Sequence, residues 1–218
     1  KPIYTGSLYE IEDGIFKIIA IDGYRMAIRS ENVDSESKNR FVVPGKTQHE
    51  VLKLLTDDEE NTEIIIGQRH ITFKIKNYRI ISRLIEGTFI EYKSAIPKET
   101  KTEVVINTRT IIDAVERMSL LNNDRIQSPV RCIFSDDEIK LSCTSAVGRA
   151  NDVISVPIIG ESVEIGFNNR YLLDALKNAD TDEIKLILNG SLTAMIVKPV
   201  KGDSYLSIVV PMRLANEN

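Results

Sequence analysis

Residues 167–190 read FNNRYLLDALKNADTDEIKLILNG, and residues 43–67 read VPGKTQHEVLKLLTDDEENTEIIIG. Each stretch reads as a strand end, a helix, an acidic loop and a strand closing on Gly. In the earlier stretch, helical spacing over 46–55 places Val51, Leu52 and Leu55 on one face. In the later one the helix runs over 169–178 behind Asn168, a good N-cap. Glu50 aligns with Asp174, Leu52 with Leu176 and Lys53 with Lys177 at one common offset, and Gly67 meets Gly190 one residue short of it. A match of this length predicts two copies of one unit of about 120 residues.

The flanking sequence repeats as well. Asp13-Gly14 is a hairpin turn between strands at 7–12 and 15–20, and Asp136-Asp137 is its counterpart between 130–135 and 138–144. A strand over 25–30 continues the first meander. Strands at 63–67, 70–75 and 78–84 turn at Gly67-Gln68 and Lys76-Asn77. Strands at 184–188, 192–198 and 205–210 turn at Asn189-Gly190 and Lys201-Gly202-Asp203. A third helix, 108–121, follows Asn107, another good N-cap. Residues 88–102, with Pro97, Lys98 and Lys101, lack periodicity and read as a linker. The expected fold class is therefore α+β: two tandem copies, 1–96 and 97–218, of antiparallel sheet with helices on one face. The second copy opens with the 108–121 helix and the first directly in its hairpin. A strand and a helix are thus expected to precede Lys1, leaving the sheet near Leu8, Tyr9 and Ile18 poorly covered.

Composition narrows the function. The 218 residues are 42% hydrophobic and 28% charged, ordinary globular usage. Lys and Arg number 28 against 32 Asp and Glu, a net charge of −4, so nucleic acid is not held by bulk charge and any contact needs a local basic patch. No apolar run is long enough for a membrane-spanning helix, and the opening residues do not read as a secretory leader. Cys132 and Cys143 are too few for a disulfide framework and lack zinc spacing; they are expected nearly opposite each other on two strands, as small buried side chains. His49 and His70 have no catalytic partner in sequence, and Asp57, Asp58, Glu59 and Glu60 read as a solvated loop. No phosphate-binding loop or nucleophile constellation is present, so no enzyme activity, cofactor or metal site is expected.

One local charge pattern stands out. Lys46 and Lys53 share a face of the first helix, as do Arg170 and Lys177 at the same repeat positions, with the apolar residues expected opposite. Glu50 and Asp174 sit beside these pairs, and a solvated helix face is the commoner reason for such a pattern.

Five segments, in order, carry a resemblance: AIDGYRMA at 20–27, SRLIEGTF at 82–89, EIGFN at 164–168, YLLDAL at 171–176 and PMRL at 211–214. Together they resemble the bacterial sliding clamps, the beta subunits of DNA polymerase III, over most of that family's second domain and all of its third. The resemblance implies a processivity factor that encircles duplex DNA without sequence specificity, as a ring of two subunits, in the cytoplasm. It implies a non-catalytic subunit, any nucleotidyltransferase label belonging to the holoenzyme. Lys46, Lys53, Arg170 and Lys177 would face phosphates. A pocket between the two domains, with Gly23, Arg25 and Met26 from the first copy and Asn168, Tyr171, Pro211, Met212 and Arg213 from the second, would take short Gln- and Leu/Phe-containing peptides of the replicative polymerase, the clamp loader and repair proteins. Tyr24 stands where the family commonly has His, and Ile90 where Pro is frequent. Residues 215–218 extend past the usual end. Without a first domain the chain is expected to be unable to close a ring, and to be a monomer or a non-native dimer. The alternatives are a peptide-binding adaptor that does not contact DNA and an enzyme whose site is completed by a missing N-terminal part.

Overall fold

The structure, a computed structural model, describes residues 1–57, 61–121 and 128–214. Most of the acidic run (58–60) and the 215–218 extension lie outside the described residues. The chain divides into two compact units, Lys1–Asp22 with Ile28–Glu91 and Gly23–Ala27 with Tyr92–Asn218.

The first unit starts with a 3-10 turn, Pro2–Thr5, followed by β1 (Gly6–Glu12), β2 (Ile15–Ile21), β3 (Arg25–Asn32) and β4 (Asn39–Pro44). Helix α1 (Gly45–Leu54) and β5 (Glu63–Ile66), β6 (His70–Ile75) and β7 (Tyr78–Arg83) complete it. β1 pairs antiparallel with both β2 and β4, and β3 lies beyond β2. β5, β6 and β7 form an antiparallel meander. The β1–β2 turn has Asp13 and Gly14 at φ of 52° and 71°, the left-handed pair that a two-residue hairpin of matching twist requires.

Alternation in β6 sends Ile71, Phe73 and Ile75 to one face, where they pack with Tyr9, Val43 and Val51 of α1. Tyr9 meets the rings of Phe16 and Phe41 at 5.3 and 5.7 Å, and burial pushes its phenol up to about 12. The expectation of a poorly covered sheet is therefore corrected. Leu8 and Tyr9 are buried and Ile18 packs against this core, because α1 and the second sheet cover the Tyr9 face. On the opposite face, Ile19, Leu8 and Val42 lie side by side in a buried row. Leu8 and Val42 also wall a cavity of about 570 Å³ with Ile85 and Phe89.

The second unit runs β8 (Thr102–Asn107), α2 (Thr108–Ser119), β9 (Val130–Ser135), β10 (Glu138–Ser145), β11 (Gly148–Ser155), β12 (Ile158–Gly160), β13 (Val163–Phe167), α3 (Asn169–Lys177), β14 (Glu183–Leu188), β15 (Met195–Pro199) and β16 (Tyr205–Val209). Its sheets are ordered β11-β10-β9-β13 and β12-β8-β14-β15-β16. The first of these matches β3-β2-β1-β4 of the first unit strand for strand, and β14-β15-β16 matches β5-β6-β7. The linker expected at 88–102 contains a short 3-10 turn, Tyr92–Ala95, and ends where β8 begins. Both expected caps form: the Asn107 side chain accepts from the Thr110 N–H, and the Asn168 side chain from the Arg170 and Tyr171 N–H groups. Helices α2 and α3 pack on each other, and their buried faces share one core with residues of both sheets.

Two sequence expectations shift. The β9–β10 register pairs Cys132 with Leu141 rather than with Cys143, because Ser135 and Glu138 close the turn. The error is two residues, so the buried face is unchanged, and both cysteines are buried with no disulfide between them. On α1, Leu52 is not on the buried face. It is 66% exposed, while Val51 is buried and Leu54 packs beside it, three residues on.

Candidate functional site

The Asn168 cap, with hydrogen bonds of 3.0 and 3.2 Å, starts α3 so that Tyr171 stands half-buried in its first turn. Gly23–Ala27 packs with this second unit. Gly23, at φ 90°, makes a left-handed turn that suits glycine, and Tyr24 and Arg25 follow it. The Tyr24 ring stacks on Tyr171 with centroids 5.8 Å apart and planes at 23°. The Arg25 guanidinium carbon lies 4.5 Å from the centre of the same ring. Arg25 also donates to the carboxylate of Asp174, one helical turn beyond Tyr171.

The chain after β16 is fixed to this cluster by its backbone. The Val210 N–H donates to the Tyr24 carbonyl at 2.9 Å, and the Met212 N–H to the Gly166 carbonyl at 2.8 Å. Gly166 sits in close approach: a Cβ there would lie 2.6 Å from Leu214 Cδ2, the end of a flexible side chain, and 3.0 Å from the Met212 carbonyl oxygen. Pro211 and Met212 sit half-buried between the two hydrogen bonds, and Arg213 is exposed. With Tyr24 and Val210 also exposed, the result is an apolar and aromatic surface bordered by two arginines.

Of the expected pocket residues, the structure brings Arg25 onto Tyr171 and sets Asn168 at the start of the same helix, while Gly23 adjoins Tyr24 in sequence and Pro211, Met212 and Arg213 follow Val210, which is bonded to the Tyr24 backbone. Met26 differs. It follows Arg25 in a strand, so its side chain points to the other sheet face, and it is only 3% exposed. It packs as core and is not an accessible wall in this conformation. Sequence reading did not place Tyr24 or Asp174 in the cluster. The available signals were an aromatic residue directly after a Gly turn and a carboxylate three positions after a helical Tyr.

The four basic residues on α1 and α3 are exposed. Lys53 pairs with Glu50 at 2.9 Å and Lys177 with Glu116 of α2 at 2.5 Å; each ammonium holds its partner carboxyl below the usual range. Among the described residues, Lys46 and Arg170 have no ion-pair partner. Both helices thus carry an unpaired cation at the start and a paired one about 10 Å further along. Among the described residues, no group of three or more His, Cys, Asp or Glu is placed to hold a metal, and no helix is long and apolar enough to cross a membrane. His49 and His70 are exposed.

Two copies of one α+β unit, with matched strand order and matched basic helices, define a protein built by domain repetition, of the kind found in DNA clamps. Residues 1–91 match the family model described as DNA polymerase III beta subunit, central domain, and residues 93–213 that of its C-terminal domain. The chain belongs to the DNA polymerase III beta subunit family, the beta sliding clamps. It is 30% identical to the beta sliding clamp of Halalkalibacterium halodurans over 220 residues and to that of Bacillus subtilis over 218 residues, in each case across 98% of this chain and 58% of the relative. The crystal structure of the Bacillus subtilis sliding clamp superimposes with a TM-score of 0.95 at 30% identity, over 99% of this chain and 58% of that one. A Pseudomonas aeruginosa sliding clamp bound to griselimycin gives a TM-score of 0.90 at 29% identity, over 96% of this chain and 57% of that one. The chain thus spans a little under three fifths of the length of these relatives.

Proposed function

We propose that this chain supplies the central and C-terminal domains of a processivity clamp of bacterial DNA replication. In the complete protein, a ring of two subunits encircles duplex DNA without reading its sequence, in the cytoplasm, and performs no chemistry itself. Partner proteins, the replicative polymerase, clamp loader and repair proteins, are tethered through short peptides with Gln and Leu/Phe. Their docking surface is formed by Arg25, Asn168, Tyr171, Pro211, Met212 and Arg213, with Gly23 shaping the turn and Met26 packed behind it. Lys46, Lys53, Arg170 and Lys177 face phosphates. The observation that carries this reading is the family match of both units. The ligand-bound Pseudomonas relative supports a binding surface on this fold, and the half-exposed Tyr171–Met212 cluster supports its position.

The paired state of Lys53 and Lys177 suits sliding rather than gripping. If all four cations met phosphates, the log–log salt slope of duplex binding would be about −3.6; with two satisfied internally it falls to about −2. Anisotropy titrations of labelled duplexes at several low salt concentrations measure this slope. The expected result is weak binding, equal for unrelated sequences, with a slope near the lower value and a loss when all four are changed to Ala. A strong sequence preference, or no effect of the fourfold change, removes the phosphate-facing role and favours a peptide-binding adaptor.

A further inference from the structure

Asp174 is the member of the aromatic cluster to which the proposed peptide contacts give no task. It lies 149 residues from Arg25 in sequence, yet its carboxylate accepts from the Arg25 guanidinium. The two side chains are 48% and 31% exposed. An ion pair that open to solvent contributes little net stability, so its effect is local. It fixes where the guanidinium lies and how much of its charge a ligand feels. A guanidinium is flat and presents its donors in a rigid fork, so a carboxylate at its edge leaves its face free to lie on a ring. Here that ring belongs to Tyr171, which in turn carries the stacked Tyr24. Tyr171 and Asp174 are one turn apart on α3 and present one face to Arg25.

We propose that Asp174 is a positioning residue of the peptide surface: it holds Arg25 against the Tyr171 ring, which keeps the Tyr171–Tyr24 pair in one orientation, and it offsets the Arg25 charge so that the surface favours neutral peptides over acidic ones. The inference rests on the peptide-docking reading above. With Asp174 in place, Arg213 is the exposed cation of the cluster that has no carboxylate partner among the described residues. Without it, the guanidinium loses this anchor at its edge and more of its charge faces the ligand.

The test uses the full chain and two synthetic peptides, one neutral with Gln and a Leu–Phe pair, the other identical but with an Asp beside that pair. Affinities are measured for wild type, Asp174→Asn, Asp174→Glu and Arg25→Lys, each checked for folding by circular dichroism. Tyr ring resonances are followed by NMR. Asp174→Asn should weaken the neutral peptide by about threefold to tenfold, the scale of one half-exposed charged contact at an interface, and should shift preference towards the acidic peptide. Asp174→Glu should restore most of the neutral-peptide affinity and the wild-type Tyr shifts. Arg25→Lys, which keeps the charge pair but not the flat face, should weaken the neutral peptide without the shift in preference. Wild-type binding with an unchanged Asp174→Asn profile overturns the inference. So does a loss in Asn that Glu does not repair. If wild type binds neither peptide, the docking reading itself is overturned.

Discussion

Gly166 shows how a single atom's worth of space shapes the candidate site. A methyl group there would press on Leu214 Cδ2 and on the Met212 carbonyl oxygen, 3.0 Å away. Gly166→Ala is therefore expected to push the 212–214 segment outward, to cost about 1–3 kcal/mol in urea unfolding, as overpacking does, and to weaken peptide binding in parallel. Unchanged binding with the full stability loss would separate Met212 from the site. The residues of this cluster were unevenly legible in sequence. The Asn168 cap and the Tyr171 position follow from local rules. The Arg25–Asp174 pair does not, since no short-range signal joins residues so far apart. Met26 belongs to the expected pocket by the family resemblance alone; the period of two in a strand puts its side chain in the core.

At the scale of elements, α1 and α3 occupy equivalent places in the repeat and differ in what covers them. Leu176 on α3 is fully buried, with α2 packed alongside. Its counterpart Leu52 is 66% exposed, and α1 packs chiefly on β1, β4 and β7. Hence Leu52→Lys is expected to change unfolding free energy by less than about 0.5 kcal/mol, while Leu176→Ala costs about 2–5 kcal/mol through the cavity it leaves. Equal effects in a denaturant series would contradict the assigned helix faces. Sequence alone placed the three helices to within two residues and most hairpins correctly, because caps, the Asp-Gly turn and alternation are local; at Asn189-Gly190 it failed, since the loop runs on to residue 194, Leu192 is exposed and the next strand starts at Met195. It did not mark β8, β11 or β12 as strands, and it gave β4 and β13 only as the strand ends before their helices. In β11 only Ile154 is buried, so little alternation is visible. β8 alternates in burial, but Val105 stands on the less buried side and blurs the pattern. The helix expectation for Leu52 failed for a tertiary reason: an apolar residue reads as buried whether or not another element covers it.

For the molecule as a whole, the repeat was legible because both copies kept their turn residues and helix starts at matching positions, and the matched strand orders give it physical form. The net charge of −4 is compatible with a DNA-facing role only if the basic residues are gathered locally while acidic ones lie elsewhere. The partner-tethering role makes a demand that can be met or refused at individual residues. The most direct measurement is an NMR titration of the isotopically labelled full chain with a Gln- and Leu/Phe-containing peptide. The account predicts saturable shifts at Tyr24, Arg25, Tyr171, Met212 and Arg213, with residues of the first unit's cavity, such as Arg40 and Arg69, left in place. Saturable shifts centred on that cavity, or none at saturating peptide, would contradict it.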